Sequence, residues 1–239
     1  MKTVIWPAPL YSFLGYITMK VDDPTLGKKI LDCGAGGKYP PLTLFHKHGF
    51  ETYGIDISAE QIEKAKDFAA SQGIELDIRE ADMRNIPFSG EYFDFCYESF
   101  SMSHMVKAEI KQTIQEMKRV LKKCGYLFMG FILRDTWPLK GQERVSGSGE
   151  YWCEEEGEEP IHSVFAEEET EGCLGGLEIV KKEILTVSDT ERVKNVTWDE
   201  WLQNWDTDDY PEEEKRKRYE LRNRLVRYTH LFYILRKPA

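Results

Sequence analysis

Lys29-Ile30-Leu31-Asp32-Cys33-Gly34-Ala35-Gly36-Gly37-Lys38 is the stretch on which the reading of this 239-residue chain turns. Ile30 and Leu31 form the short apolar run of a buried strand, a glycine-rich turn follows at once, and Leu42 to His48 reads as a helix. Two glycines spaced by one residue let the backbone turn sharply and let a ligand approach where a Cβ would stand in the way. Working outward, Gly54-Ile55-Asp56-Ile57-Ser58 closes a second apolar run, Tyr53 to Ile57. In an open α/β sheet the carboxyl ends of both strands face one crevice, and an acid there accepts hydrogen bonds from a ribose. The pattern is that of a nucleoside-binding strand–turn–helix–strand unit.

A dinucleotide fingerprint, Gly-x-Gly-x-x-Gly, needs a third glycine at position 39, and that position is Tyr39. Asp32-x-Gly34-x-Gly36 instead resembles motif I of the class I S-adenosylmethionine (SAM) dependent methyltransferases, in their small-molecule group, which carry an acid two places before the first glycine. Where that family often has its third glycine, this chain has Lys38, with Gly37 beside it to absorb the turn.

The following segments keep the family's order. Ser58 with Gln61 forms a capping-box pattern, Ile62, Ala65, Phe68 and Ala69 hold one helix face, and Gly73 ends that helix. Ile74 to Ile78 reads as a third strand, the acidic turn Glu80 to Phe88 follows, and Tyr92 to Tyr97 is a fourth strand. Val106 to Lys123 reads as a helix with Ile110, Ile114, Met117 and Leu121 on one stripe, stopped by Cys124-Gly125. Tyr126 to Leu133 is a strand of the kind buried on both faces. Arg119-Val120-Leu121-Lys122-Lys123-Cys124-Gly125 is similar to the run that precedes the family's fifth strand, and Thr229 to Pro238 looks like its last, antiparallel one.

The resemblance implies an α/β fold with a seven-stranded, Rossmann-like sheet, mostly parallel with an antiparallel last strand and helices on both faces. It implies one domain over 1–239, with a cap at 1–28 and lid-like insertions at about 134–175 and 195–228. It also implies cofactor-binding roles: Asp32, Gly34, Ala35 and Gly36 in the turn, and Asp56 on the ribose. Ile57 packs on the adenine ring, Asp82 accepts from its exocyclic amine, Met83 covers it, and Glu98 meets the methionine end.

Composition sets outer bounds. A net charge of −10, from 42 acidic and 32 basic residues, makes a nucleic-acid substrate a poor expectation, since phosphate backbones are held by basic faces. The five cysteines form no Cys-x-x-Cys pair, so neither a zinc knuckle nor a disulfide framework is expected. The histidines at 46, 48, 104, 162 and 230 show no zinc spacing beyond His46-x-His48, which lies on a helix with poor geometry, and no metal is expected. Met1 to Tyr16 is apolar but broken by Pro7 and Pro9, no run approaches membrane-spanning length, and a cytoplasmic protein is expected.

Two regions depart from the family pattern. Residues 134–175 hold Trp137, Tyr151, Trp152, the acids from Glu154 to Glu159 and several glycines, a loop composition, with His162 to Phe165 and Glu167 to Glu169 marking a short helix start. Leu177 to Val187 reads as a long strand. Farther on, Trp198, Trp201 and Trp205 share one helical face, more in the manner of a core than of a cation cage. A helix from about Pro211 to Arg227 carries only a thin apolar stripe, Leu221 and Leu225. In the lead-in, Tyr11 and Tyr16 either line the site or cover the sheet.

The expected reaction is direct, in-line displacement of the sulfonium methyl by an acceptor held in place, leaving S-adenosylhomocysteine (SAH). Positioning supplies ~7–11 kcal/mol and a general base a factor of ~10²–10⁴, so the lack of an obvious base does not count against it. Tyr97 to Met105 would form the wall between cofactor and acceptor. This wall is not the Asp/Asn-Pro-Pro-Tyr/Phe motif of the methylases of nucleobases and glutamine. No catalytic residue is assigned, His104 included. Two other readings stay open: a SAM-binding sensor or assembly protein without catalysis, and a nicotinamide-dependent oxidoreductase. The acceptor, its O, N, S or C atom, and the oligomeric state stay open too.

Overall fold

In a computed structural model of the protein, Ile30, Leu31, Asp32 and Cys33 are buried together, which places their strand, β1 (Lys29–Cys33), inside a sheet. The structure describes residues 4–136, 142–143, 145–152, 161–188, 197–204, 211–213, 215–216, 219 and 227–239. On one side β1 pairs in parallel with β2 (Glu51–Asp56), and β2 with β3 (Asp77–Glu80). On its other side lies β4 (Phe93–Tyr97), followed by β5 (Leu121–Leu133), both parallel to it. Beyond β5 runs β10 (Arg227–Arg236), antiparallel to it and to β9 (Glu178–Ser188) at the edge. The order β3-β2-β1-β4-β5-β10-β9 is therefore a seven-stranded, mostly parallel sheet whose last strand in sequence runs antiparallel, as the resemblance implied.

Helices cover both faces. α1 (Ala8–Met19), α2 (Leu42–Lys47) and α3 (Ala59–Ser71) bury Leu10, Phe13, Phe45, Ile62 and Ala65 against one side. α4 (Lys107–Val120) buries Ile110, Ile114 and Met117 against the other. The start of α3 follows its sequence signal, since the Ser58 hydroxyl accepts from the Gln61 N–H at 3.3 Å. The aromatic lead-in resolves toward covering the sheet: Phe13 stacks on Phe128 at 5.4 Å and Tyr16 lies 5.6 Å from Tyr126, while Tyr11 is exposed.

Three boundaries differ from the sequence reading. The helix expected to reach Lys123 ends at Val120, because Leu121 is already extended (φ −75°, ψ 135°) and pairs with Phe93. The chain then takes five steps, from Leu121 to Tyr126, to advance two along β4, a bulge with Cys124 in the left-handed region at φ 62°. The third strand begins at Asp77 rather than Ile74, whose N–H instead closes the end of α3 on the Ala69 carbonyl at 2.9 Å.

The third difference is in the 134–175 segment. The expected short helix begins only at Glu167, and the residues before it are not its start: Ile161–Phe165 is a strand, β8, with Ile161, Ser163, Val164 and Phe165 buried and His162 half-buried. β8 pairs in parallel with the end of β5 through Ile132–Val164 and Leu133–Phe165. Ile132 also pairs with His230 of β10, so β8 lies on the edge of β5 that β4 occupies lower down. Two short strands, β6 (Gln142–Glu143) and β7 (Glu150–Trp152), extend it antiparallel, and α5 (Glu167–Glu171) follows. In α6 (Trp198–Asn204), Trp198 and Trp201 stack at 5.6 Å with Tyr219 edge-on to both, and Trp201 is buried. Trp137, the acids from Glu154 to Glu159, Trp205, Leu221 and Leu225 lie outside the described residues. Among the described residues, no helix is long and apolar enough to cross a membrane.

Candidate active site

The glycine turn leaves β1 at the carboxyl end of the sheet. The N–H groups of Gly34 and Ala35 both donate to the Ile55 carbonyl, at 2.8 and 2.9 Å, which fixes the turn to β2. Gly34 takes φ +105°, and a Cβ built there would stand 1.9 Å from the Ser101 hydroxyl, so no other residue fits. Gly36 is required for a different reason: its N–H donates to Asp56 Oδ2 at 2.8 Å, and a Cβ would lie 2.5 Å from that oxygen. Asp56 Oδ1 accepts the Ser58 N–H at 2.9 Å. Each oxygen thus holds one backbone donor and keeps acceptor capacity for a vicinal diol. Ile57, the next residue, is 67% exposed, an apolar side chain left standing at the crevice.

Asp32 is buried just below the turn. Tyr97 donates its O–H to Oδ2 at 2.7 Å, while Oδ1 is buried without a partner. Burial pushes the carboxyl up to about 8, against the Tyr97 hydrogen bond and with help from Glu98 and Asp56. A buried acceptor with nothing to accept from is costly, and an ammonium group would satisfy it.

Asp82 and Met83 stand on the turn after β3. Arg84 clasps Asp82, its Nε reaching both oxygens at 2.9 and 3.0 Å, and holds the carboxyl below its usual range. Met83 is buried, with its methyl facing Gly34. Glu98 is wholly buried and its oxygens are taken up by the chain: Oε1 accepts the Gly130 N–H at 2.7 Å and Oε2 the Met102 N–H at 3.3 Å. Burial raises it to about 7 against those backbone bonds. Glu98 therefore ties the end of β4 to β5 and to the next turn.

That turn forms a wall. Phe100 is held at φ 69°, a strained conformation for a bulky residue, with its ring edge-on to His230 at 5.0 Å and to Phe232 at 5.8 Å. His104 lies 5.0 Å from His162 of β8, and Ser163 donates to the Met105 carbonyl at 2.6 Å, so the inserted strand is fastened to the wall. Sequence reading missed the Tyr97 and His162 contributions. Each depends on a partner more than fifty residues away, which no local pattern announces.

This sheet order, with a glycine turn and an acid-tipped second strand at one crevice, defines a Rossmann-like fold of the methyltransferase type. Residues 31–129 match the family described as "Methyltransferase domain". Methyltransferase GfsG of Streptomyces halstedii is 34% identical over 113 residues, 46% of this chain and 40% of that protein. A ubiquinone biosynthesis O-methyltransferase of Brucella anthropi is 28% identical over 221 residues, covering 84% of this chain and 83% of that one. The fold is shared with a SAM-dependent methyltransferase of Methanosarcina mazei, with a TM-score of 0.63 at 21% identity over 89% of this chain and 94% of the other. The methyltransferase family match is thus confined to residues 31–129 of this chain, and its match to GfsG spans under half of that protein's length.

Proposed function

We propose that the protein catalyses transfer of the SAM methyl group to a small-molecule acceptor, leaving SAH. The observation that carries this reading is the Gly36–Asp56 clasp, which holds a carboxylate beside a glycine turn open to a ligand. In this reading Asp56 receives the ribose diol, Ile57 and Met83 flank the adenine, and Asp82 receives its amine. Gly34, Ala35 and Gly36 let the cofactor approach the backbone, and the unpartnered Oδ1 of Asp32 takes the ammonium of the methionine moiety. Glu98 acts from beneath, keeping the wall in register with β5.

The bound cofactor would supply a methyl group on a sulfonium, already a strong electrophile. What the chain must then do is orient the acceptor, exclude water and accept a proton where the acceptor carries one. The name of the Brucella relative, a ubiquinone biosynthesis O-methyltransferase, supports a small-molecule acceptor here. The test is isothermal titration of SAH into the protein and into Asp56→Ala, followed by a labelled-methyl acceptor screen. Binding to the wild type and a loss of tenfold or more in the variant are expected. Equal affinity in both would overturn the assignment of Asp56.

A further inference from the structure

Beside the crevice, the α1 side of the β9–β10 ladder carries exposed apolar side chains at its upper end. In register, Tyr228 faces Val187, His230 faces Leu185 and Phe232 faces Glu183, and the two-residue period puts Tyr228, His230, Leu185 and Val187 on one surface. Below it, Phe232 stacks on Phe128, which α1 covers through Phe13. At the crevice end the cover stops: Tyr228, Val187 and Leu185 are exposed. His230 pairs with Ile132, one residue short of the end of β5, and so sits at the same edge of the sheet as Gly36 and Asp56. Phe100 joins the two places, with its ring on His230 while its neighbour Ser101 abuts Gly34.

We propose that this face seats the methyl acceptor, a planar apolar compound bearing an aromatic hydroxyl, and that His230 accepts the hydroxyl proton. This rests on the methyltransferase reading and specifies its substrate class. Continuity with the crevice through Phe100 argues for the acceptor as occupant. Apolar and aromatic side chains (Tyr228, Val187, Leu185, Phe100) suit a flat ring. The charged groups of this face, Lys181 and Glu183, lie farther along β9, where they pair with each other at 3.0 Å and bond to Ser12. Among the described residues, no free carboxylate stands on this face to receive a cationic amine.

His230 is suited to the proton. Among the described residues neither of its ring nitrogens has a hydrogen-bond partner, and burial lowers it below the usual histidine range, which keeps it neutral at neutral pH. In the step, the hydroxyl proton passes to a His230 nitrogen as the bond between acceptor oxygen and methyl carbon forms. The bond between that carbon and the donor sulfur breaks with its electron pair going to sulfur, and the proton then leaves to solvent.

The test uses the full chain saturated with SAH and two probes, 1-naphthol and the ammonium-bearing 1-naphthylmethylamine. The Cε1–H signal of His230 is followed by NMR, and affinities by titration. We expect 1-naphthol to shift that signal and to bind at least fivefold more tightly than the amine. His230→Gln and, separately, Leu185→Glu should each weaken 1-naphthol at least fivefold, with SAH affinity unchanged as the check on folding. With 1-naphthol as acceptor, His230→Gln should lower kcat far more than it raises KM. An unmoved His230 signal, or tighter binding of the amine, would overturn the proposal while leaving the methyltransferase reading intact. Failure of SAH to bind the wild type would instead sink that reading, and this one with it.

Discussion

Tyr97 donates its phenolic O–H to Asp32 at 2.7 Å, and neither side chain is in contact with water. Replacing Tyr97 with Phe keeps the ring and leaves both Asp32 oxygens without a donor. An unsatisfied buried acceptor costs about 1–3 kcal/mol, so Tyr97→Phe should lose that much stability in a urea titration with the m-value unchanged. Saturating SAH should recover part of the loss on the proposed role of Asp32, in which the ammonium satisfies the same carboxylate. A variant as stable as the wild type would contradict the importance given to this bond.

The pH dependence follows from the same carboxyl. Asp32 is raised to about 8 and Glu98 to about 7, above the unfolded values of roughly 3.9 and 4.3. The folded state therefore binds more protons than the unfolded one across that window, and stability falls as pH rises from about 4 to about 8. Thermal melts should show Tm declining toward alkaline pH, less steeply in Asp32→Asn. Because an ammonium beside Asp32 favours the carboxylate, SAH binding near neutrality should release a proton. Titrations in two buffers of different ionisation enthalpy measure it, and Asp32→Asn should abolish it.

Gly36 and Asp56 can be tested as a pair. On its proposed role, removing the Asp56 carboxylate should delete charge-assisted bonds of ~1.5–3 kcal/mol each, tenfold or more in SAH affinity. Gly36→Ala puts a methyl 2.5 Å from Asp56 Oδ2 and must displace it, so the loss should be comparable with the acid still present. The double variant should lose little more than either single one, since both changes break one unit. Additive losses by isothermal titration would mean that the two act separately.

Phe100 offers a separate backbone test. Its φ of 69° disfavours any residue with a Cβ, so Phe100→Gly should be more stable than Phe100→Ala by about 1 kcal/mol although both lose the same ring. Chemical denaturation of the two variants decides it. Equal stabilities would show that the turn relaxes once the ring is gone.

Much of the nucleoside half was legible because its signals are matters of spacing. The Ser58 cap acts three residues from Gln61, and the turn glycines and the acid at the end of β2 stand at a fixed spacing of about twenty residues, so sequence spacing displays them. The boundary at Leu121 was not legible. Leu121 continues the apolar stripe of α4, and only its pairing with Phe93 makes it a strand residue. The β8 strand was obscured by the acids that follow it, and its burial depends on reaching the end of β5. Asp32 could be found by its place in the turn, but its orphaned oxygen and the Tyr97 beneath it belong to the packed sheet. Glu98 was expected at the methionine end of the cofactor; that both its oxygens are taken by the Gly130 and Met102 N–H groups could be known only once β5 was seen to run alongside.

The attachment of β8 has an evolutionary consequence. It joins the main sheet through two residue pairs, Ile132–Val164 and Leu133–Phe165, beyond the point where β4 has ended. Lengthening, shortening or exchanging the inserted hairpin disturbs only that short seam, and the strands carrying the glycine turn and Asp56 do not border it. The hairpin can thus vary in length and sequence while the glycine turn and the Asp56 strand keep their places.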